Sequence, residues 1–214
     1  MARIDLWAIH IGLKEVLNFK PQNFIEIGSR DGHDTKTIQE MFNIPPSNCY
    51  IFEAHPELSN QIEKRYPEFN VNNCAISNLT QPITFNAADL EMESNPGMSS
   101  VLDLVDDGFK SNKVEVDGWR IDDILKQLCI DNVDLVKIDV EGFSLEVLDG
   151  FGIMLNKTKC IQIELEHKVV WKKQCSYDDV SNFLIKNGFT QLLFARIAHD
   201  QSDSLWVKNE LILR

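Results

Sequence analysis

The amino-acid sequence predicts an open, doubly wound α/β sheet, mostly parallel, with an antiparallel hairpin at one edge. Three observations carry this expectation. Short apolar runs alternate with stretches of helical periodicity. Glycine- and proline-rich turns separate them. The last two apolar runs follow one another with no helix between them, which favours an antiparallel closing pair.

In chain order, a helical period runs from about Ile4 to Asn18, with Leu6, Ile9, Leu13, Val16 and Leu17 on one face, and the proline within Phe19 to Gln22 breaks it. Asn23 to Ile27 is an apolar strand that enters a glycine-rich turn. His33 to about Phe42 is a helix closed by Pro45 and Pro46. Cys49 to Phe52 reads as a strand, Pro56 to Arg65 as a helix with proline in its first turn, and Asn70 to Ile76 as a third strand, giving parallel β-α-β units. Thr84 to Phe85 is a short strand, and Ala87 to Gly97, ending in Asn95, Pro96 and Gly97, is the candidate for a long active-site loop. Then come a helix (Ile121 to Cys129), a strand (Val133 to Asp139), a helix (Ser144 to Leu148) and a strand (Cys160 to Leu165). Tyr177 to Asn187 is a helix stopped by Gly188, and strands Thr190 to Ala195 and Leu205 to Val207 flank a polar loop from His199 to Ser204. Ligands of such sheets bind at the carboxyl ends of the strands.

The 214 residues fit one domain, with an N-terminal helix (residues 1–21) ahead of a core spanning 22–207. A chain of this length buries on the order of 70% of its unfolded surface without disulfides or a structural metal. The net charge of −12 disfavours binding to a phosphate backbone and argues against a polybasic membrane anchor. No run of about 18 apolar residues exists to span a bilayer. Leu6 to Leu13, interrupted by His10 and preceded by Asp5, lacks the form of a signal peptide, so the mature chain is expected to start near Met1. Five cysteines (Cys49, Cys74, Cys129, Cys160, Cys175), odd in number and never in a C-x-x-C pair, point to a reducing cytoplasm and carry no assigned chemistry.

The most informative stretch is Phe24-Ile25-Glu26-Ile27-Gly28-Ser29-Arg30-Asp31-Gly32-His33-Asp34-Thr35, a strand with an acid running into glycines spaced G-x-x-x-G before a helix. A dinucleotide site needs G-x-G-x-x-G for close approach to a pyrophosphate, and position 30 is Arg, so NAD fits poorly. An acid beside a tight glycine turn suits a cofactor with a cationic head and no phosphates, such as S-adenosylmethionine. Glu53, 25 residues beyond Gly28 at the end of the second strand, has the chemistry to accept ribose hydroxyls. Asn73 to Ser77 ends the third strand in small and apolar side chains suited to flank an adenine. Val133 to Gly142 is an apolar strand whose carboxyl end presents Asp139 and Glu141 on the same side.

Taken together, these residues resemble the FkbM-like S-adenosylmethionine-dependent methyltransferases. The resemblance rests on Glu26-Ile27-Gly28-x-x-x-Gly32 followed by Thr35, on Phe52-Glu53-Ala54-His55-Pro56, on Ala75-Ile76-Ser77 and on Met98-Ser99-Ser100-Val101. It rests further on Arg120-Ile121-Asp122-Asp123, on Lys137-Ile138-Asp139-Val140-Glu141-Gly142 and on Val147-Leu148-Asp149-Gly150. It covers about residues 22 to 207 and implies the class I methyltransferase (Rossmann-like) fold, a seven-stranded sheet of order 3-2-1-4-5-7-6, and methyl transfer to a hydroxyl oxygen. By the same resemblance, Glu26, Gly28, Ser29 and Gly32 would serve the methionine end of the cofactor, Glu53 the ribose, and Ala75 and Ile76 the adenine, with Thr35 and Ala54 also in the cofactor-binding set. Ser99 or Ser100 would reach in from the loop. The chain departs from the commonest pattern in having Glu26 where Asp is usual and the bulky Arg30-Asp31 pair inside the turn.

An alcohol acceptor needs a base that takes its proton as the methyl arrives. Glu141 or His167 is the expected base, and Asp139 holds the cofactor or an ordered water. Asp139 with Glu164 is the pair suited to Mg²⁺, a reading ranked second because no Asp-Asn dipeptide follows the fifth strand. No residue is assigned to a metal, and no histidine spacing fits zinc. Among Trp7, Trp119, Trp171 and Trp206, Trp171 beside Lys172 and Lys173 is the candidate to meet an anionic substrate, the others reading as packing.

The leading expectation is an O-methyltransferase acting on a sugar, glycan or other small-molecule hydroxyl, with the acceptor set by the loops Ala87 to Val116 and His167 to Ser176. The alternatives are methylation of an RNA ribose 2′-hydroxyl, disfavoured by the acidic charge, and a catalytically silent nucleoside-binding module. The N-terminal helix, with Trp7, either caps the sheet or offers a dimer face, which leaves the oligomeric state open.

Overall fold

The computed structural model describes residues 6–91, 98–105, 111–198 and 200–212. Asn95, Pro96 and Gly97 of the expected loop, His199, and the side chain of Trp7 lie outside that description. Helix α1 (Leu6–His10) passes directly into a wider π-helical turn (Ile11–Val16). The predicted amphipathic segment is therefore present with a change of pitch. Its stripe caps the sheet: Ile9 and Leu13 are fully buried in one cluster with Phe24, Phe42, Leu135 and Leu205.

The first half of the molecule is β1 (Phe24–Ile27), α2 (His33–Phe42), β2 (Cys49–Phe52), α3 (Pro56–Arg65) and β3 (Asn70–Asn72). β4 (Ala75–Ile76), β5 (Gln81–Ala88) and β6 (Ser111–Trp119) then form a separate sheet of order β4-β6-β5. The chain returns to the main sheet through α4 (Ile121–Gln127), β7 (Val133–Ile138), α5 (Ser144–Gly150), β8 (Thr158–Glu166), α6 (Tyr177–Lys186), β9 (Phe189–Ala198), β10 (Gln201–Lys208) and α7 (Asn209–Ile212). The main sheet has the order β3-β2-β1-β7-β8-β10-β9, with β10 antiparallel to both neighbours. Counting only its own strands, that is 3-2-1-4-5-7-6, as the resemblance implies. Among the described residues, no helix is long and apolar enough to cross a membrane.

Four expectations need correction. The strand expected over Asn70 to Ile76 is two strands in two sheets. The Asn73 side chain donates to the carbonyls of Glu53 and Ala54, and the chain leaves the main sheet at that turn. The short strand at Thr84 to Phe85 extends to eight residues because it pairs antiparallel with β6. β6 itself, placed in a loop by the sequence reading, carries Val114 and Val116 in alternation with Lys113, Glu115 and Asp117. The polar loop expected from His199 to Ser204 is mostly β10, where Ser202, Asp203 and Ser204 are buried by pairing with both β8 and β9.

Two of the family-like motifs serve the fold. Arg120 forms a two-pronged ion pair with Asp122 and donates to the carbonyl of Asn78, while Thr80 donates to Asp123, so the start of α4 is fastened to the turn after β4. Gly150 lets α5 lie on that same turn, since a Cβ there would stand 2.2 Å from the Ser77 carbonyl oxygen.

Candidate active site

A cavity of about 380 Å³ opens at the carboxyl ends of β1, β2 and β7. That is the crevice expected of this sheet and falls within the roughly 300–1,000 Å³ of small-molecule sites. One end is apolar, walled by Phe52, Leu58, Ala75, Ile76, Phe85 and Val101; the other carries Asp139, Glu141 and Glu164. Its charged lining counts six carboxylates (Asp31, Asp34, Glu53, Asp139, Glu141, Glu164) against Arg30 and Lys137. A pyrophosphate would meet net repulsion here.

The glycine turn is shaped by close approach. Gly28 has φ +78°, and a Cβ on it would lie 1.8 Å from the carbonyl oxygen of Asp139, so only glycine lets β1 turn against the end of β7. Glu53 holds the same turn from the other side: its carboxylate accepts from the backbone N–H groups of Ser29 (3.0 Å), Arg30 (2.8 Å) and His55 (2.8 Å). Three of its roughly four lone-pair positions are thereby engaged. The expected grip on both ribose hydroxyls narrows to the remaining position.

Glu26 faces inward rather than into the cavity. It is fully buried, and its Oε2 accepts from Ser29 Oγ, the Thr35 N–H and Thr35 Oγ1, while Ser29 Oγ accepts from the Gly32 N–H at 3.1 Å. Glu26, Ser29, Gly32 and Thr35 thus form one network that fixes the start of α2. Burial pushes the Glu26 carboxyl up to about 7, opposed mainly by Lys137.

Lys137, which the sequence reading left out of the site, is the cation at its centre. Its Nζ lies 2.8 Å from Asp34, 3.1 Å from Asp139 and 3.6 Å from Glu26, and these partners hold it well above the ordinary lysine range despite its burial. The available signal was a lone lysine inside an apolar strand, which can be buried only if paired.

Carboxylate oxygens of Asp139, Glu141 and Glu164 lie within 4.8 Å of one another, a donor set able to hold a divalent cation. Burial and the neighbouring acids push Glu141 up to about 9, Glu164 to about 8 and Glu166 to about 7. Like charges this close do not all ionise, which is why burial in one cluster raises all three.

Of the sequence-derived cofactor set, Gly28, Ser29, Glu53, Ala54, Ala75, Ile76, Ser99 and Asp139 line the cavity; Glu26, Gly32, Thr35 and Ser100 stand behind its wall. Of the candidate bases, Glu141 lines it and His167 does not. His167 stacks on Tyr177 (ring centroids 5.2 Å apart) and meets Phe194 edge-on; burial and Arg196 lower its pKa. Trp171 is 1% exposed, so it offers no surface to an anionic substrate. His55 also serves the fold, its ring accepting from the Glu57 N–H and meeting the Ala88 carbonyl oxygen at 3.0 Å.

Comparison with known proteins agrees with this geometry. The structure is similar to that of the methyltransferase FkbM from Methylobacillus flagellatus KT, with a TM-score of 0.58 and 14% identity over 87% of this chain and 43% of that one. This chain therefore spans less than half the length of that protein. It is also similar to the magnesium protoporphyrin IX methyltransferase (ChlM) from Synechocystis PCC 6803, solved with bound SAM, with a TM-score of 0.52 and 10% identity over 95% and 77% of the two chains. These likenesses establish the class I methyltransferase fold. No curated protein sequence gives a significant match. The family model described as the methyltransferase FkbM domain matches residues 26–190, most of the chain, and with the strand order and the crevice in place the protein belongs to the FkbM methyltransferase family.

Proposed function

We propose that this chain transfers the methyl group of S-adenosylmethionine to a hydroxyl oxygen of a sugar, glycan or other small molecule. The observation that carries the reading is the polarity of one cavity, apolar at the β2–β4 end and acidic at the β7–β8 end. The residues present fit the donor. Ala75, Ile76, Leu58 and Phe85 would take the adenine, the free position on Glu53 a ribose hydroxyl, and the Gly28 turn with Asp139 the methionine portion. When bound, S-adenosylmethionine supplies an electrophilic methyl group on a positively charged sulfonium.

The chain's own residues do the rest. Glu141, at the acidic end, takes the proton of the acceptor hydroxyl. Burial and the neighbouring acids push its carboxyl up, and a positive charge among Asp139, Glu141 and Glu164 favours the ionised form it needs as a base. Asp139 is fixed at the cavity wall by a hydrogen bond from Lys137 at 3.1 Å. Val101 and Phe143 add apolar surface to the cavity lining, which favours exclusion of water near the reacting line.

Calorimetric titration with S-adenosylmethionine, S-adenosylhomocysteine and NAD, repeated on Glu53→Ala, tests the cofactor. Micromolar binding of the first two alone, weakened at least about tenfold by the substitution, is the expected result. Absence of binding overturns the reading. Transfer of a labelled methyl group to a panel of hydroxylated sugars and small alcohols, with amines as the contrasting set, tests the acceptor atom.

A further inference from the structure

Two loops meet at the acidic end of the cavity and are joined along their backbones. One runs from Ser99 to Val105. Ser99 and Val101 line the cavity, and Ser100 Oγ donates to the Glu141 carbonyl oxygen at 2.7 Å. The other loop follows β8, from His167 to Ser176. The Val105 N–H donates to the Val170 carbonyl oxygen at 2.9 Å, Leu104 pairs with Trp171 across an isolated bridge, and the Lys172 N–H donates to the Asp103 carbonyl oxygen at 2.7 Å.

Trp171 anchors the second loop. It is 1% exposed and lies so near Gly142 that a Cβ there would stand 2.7 Å from its Cδ1. Gly142 directly follows Glu141 of the cavity lining, so Lys172 stands one residue beyond an anchor at the cavity's edge. Gln174 shapes the turn: its Oε1 accepts from the N–H groups of Val170 and Trp171, both at 2.8 Å, and its Nε2 donates to the Lys168 carbonyl oxygen at 2.8 Å. Lys173 is held at φ +66°, a left-handed conformation unfavourable for any residue with a Cβ. A loop fixed in this way presents Lys172 and Lys173, both exposed, at set positions.

The charge of this rim is opposite to that of the cavity. From Lys168 to Ser176 there are three lysines and no acid, in a chain of net charge −12. The neighbouring acids are engaged, Asp103 by Lys113 at 2.9 Å and Asp200 by Lys168 at 2.6 Å, while Asp179 accepts from Ser176 at the start of α6. Lys113 and, more weakly, Lys172 hold the Asp103 carboxyl below its usual range. Among the described residues, Lys172 and Lys173 form no ion pair of their own. A neutral acceptor gains nothing from two such cations, whereas an anionic one is drawn to the one part of this acidic surface that does not repel it.

The geometry points to an anionic acceptor: a sugar or polyol bearing a carboxylate or phosphate group, which Lys172 and Lys173 bind at the rim while its hydroxyl extends past Val101 toward Glu141. This names a substrate class within the proposed function and rests on that reading. The transfer is unchanged: the acceptor oxygen bonds to the methyl carbon, the carbon–sulfur bond breaks with its electron pair left on sulfur, and Glu141 takes the hydroxyl proton.

The test titrates the full-length protein, with and without S-adenosylhomocysteine, with glucuronate, glucose 6-phosphate, glucose and inorganic sulfate, following Lys172, Lys173 and Val101 by NMR. At least one sugar acid is expected to shift all three residues with a Kd in the low millimolar range or tighter, glucose none of them, and the two acids decide between carboxylate and phosphate. Lys172→Gln with Lys173→Gln, both at exposed sites, is expected to weaken that binding at least about fivefold. Sugar acids that bind no better than glucose, that shift the lysines no more than sulfate does and leave Val101 unmoved, or that bind the double variant equally well overturn the inference. S-adenosylmethionine affinity is expected to be the same in wild type and the double variant. Its absence from both would defeat the proposed function, while the titration without S-adenosylhomocysteine still reads the rim, so the two failures are told apart.

Discussion

Replacing Lys137 by methionine removes the charge and keeps most of the volume. In the native protein its Nζ compensates Asp34, Asp139 and Glu26, and its side chain is 7% exposed. Breaking a buried ion pair by deleting one partner costs about 3–5 kcal/mol. Asp34 and Asp139 keep 14% and 19% of their surface in contact with water, which places the expected loss at the lower end, about 3 kcal/mol at pH 8. For a chain of this size that corresponds to a fall in Tm of roughly 6–12 °C.

The loss has a definite pH dependence. Burial holds the Glu26 carboxyl up at about 7 in the folded state, above the ordinary glutamate value, so its ionisation opposes folding as pH rises through that window. Without Lys137, the main group opposing the effect of burial, the folded-state value of Glu26 rises further. Each pH unit of rise adds about 1.4 kcal/mol to the deficit above the window and nothing below it. Urea unfolding of wild type and Lys137→Met, followed by tryptophan fluorescence at pH 5, 6.5 and 8, should show the largest loss at pH 8 and the smallest at pH 5. A loss equal at all three, or below about 1 kcal/mol throughout, would refute the account of Lys137 as the cation that lets this acidic row ionise.

Two further outcomes are expected. Gly28→Ala places a Cβ into the Asp139 carbonyl oxygen at a positive φ, so unfolding stability should fall by more than about 2 kcal/mol and calorimetric binding of S-adenosylmethionine should disappear with it. In a methyl-transfer assay with an acceptor found by the panel, Glu141→Gln should lose about 100-fold or more in rate, whereas His167→Gln, whose ring lies outside the cavity, should stay within about threefold of wild type.

What the sequence disclosed follows from how local each signal is. α2 and α3 were legible to the residue because a glycine or proline start and an amphipathic period lie within ten residues. The position of His167 was equally available: alternation along β8 puts it on the face of Ile163 and Leu165, opposite Glu164 and Glu166. β6 has a period-two pattern too, but three charged residues on its exposed face make it read as loop. Trp171 stood beside two lysines and read as surface. Its burial depends on Gln174 tying down the loop and on Gly142, 29 residues earlier, leaving room, a contact that no local pattern encodes. Glu26 read as a cavity acid because its partners Ser29 and Thr35, though near in sequence, enclose it only once the turn has formed.

The register of the sheet explains why the chemistry collects where it does. On the face covered by α1 and α2, the lowest row across β1, β7, β8 and β10 is Phe24, Leu135, Cys160 and Val207. The next row is Glu26, Lys137, Gln162 and Leu205, and at the strand ends stand Asp139, Glu164 and Asp203. On the opposite face β1, β7 and β8 carry Ile25, Ile27, Val136, Ile138, Ile161 and Ile163, and β10 adds Trp206 with the uncharged Ser202 and Ser204. Charge therefore rises toward the cavity on one face only, and Lys137 is the residue where the gradient turns from apolar to ionic. One cation balances the row it stands in but not the acids above it. A ligand with a positive centre completes that charge balance where a phosphate would worsen it, and it is this one-sided gradient, more than any single motif, that favours a sulfonium donor over a dinucleotide in the crevice.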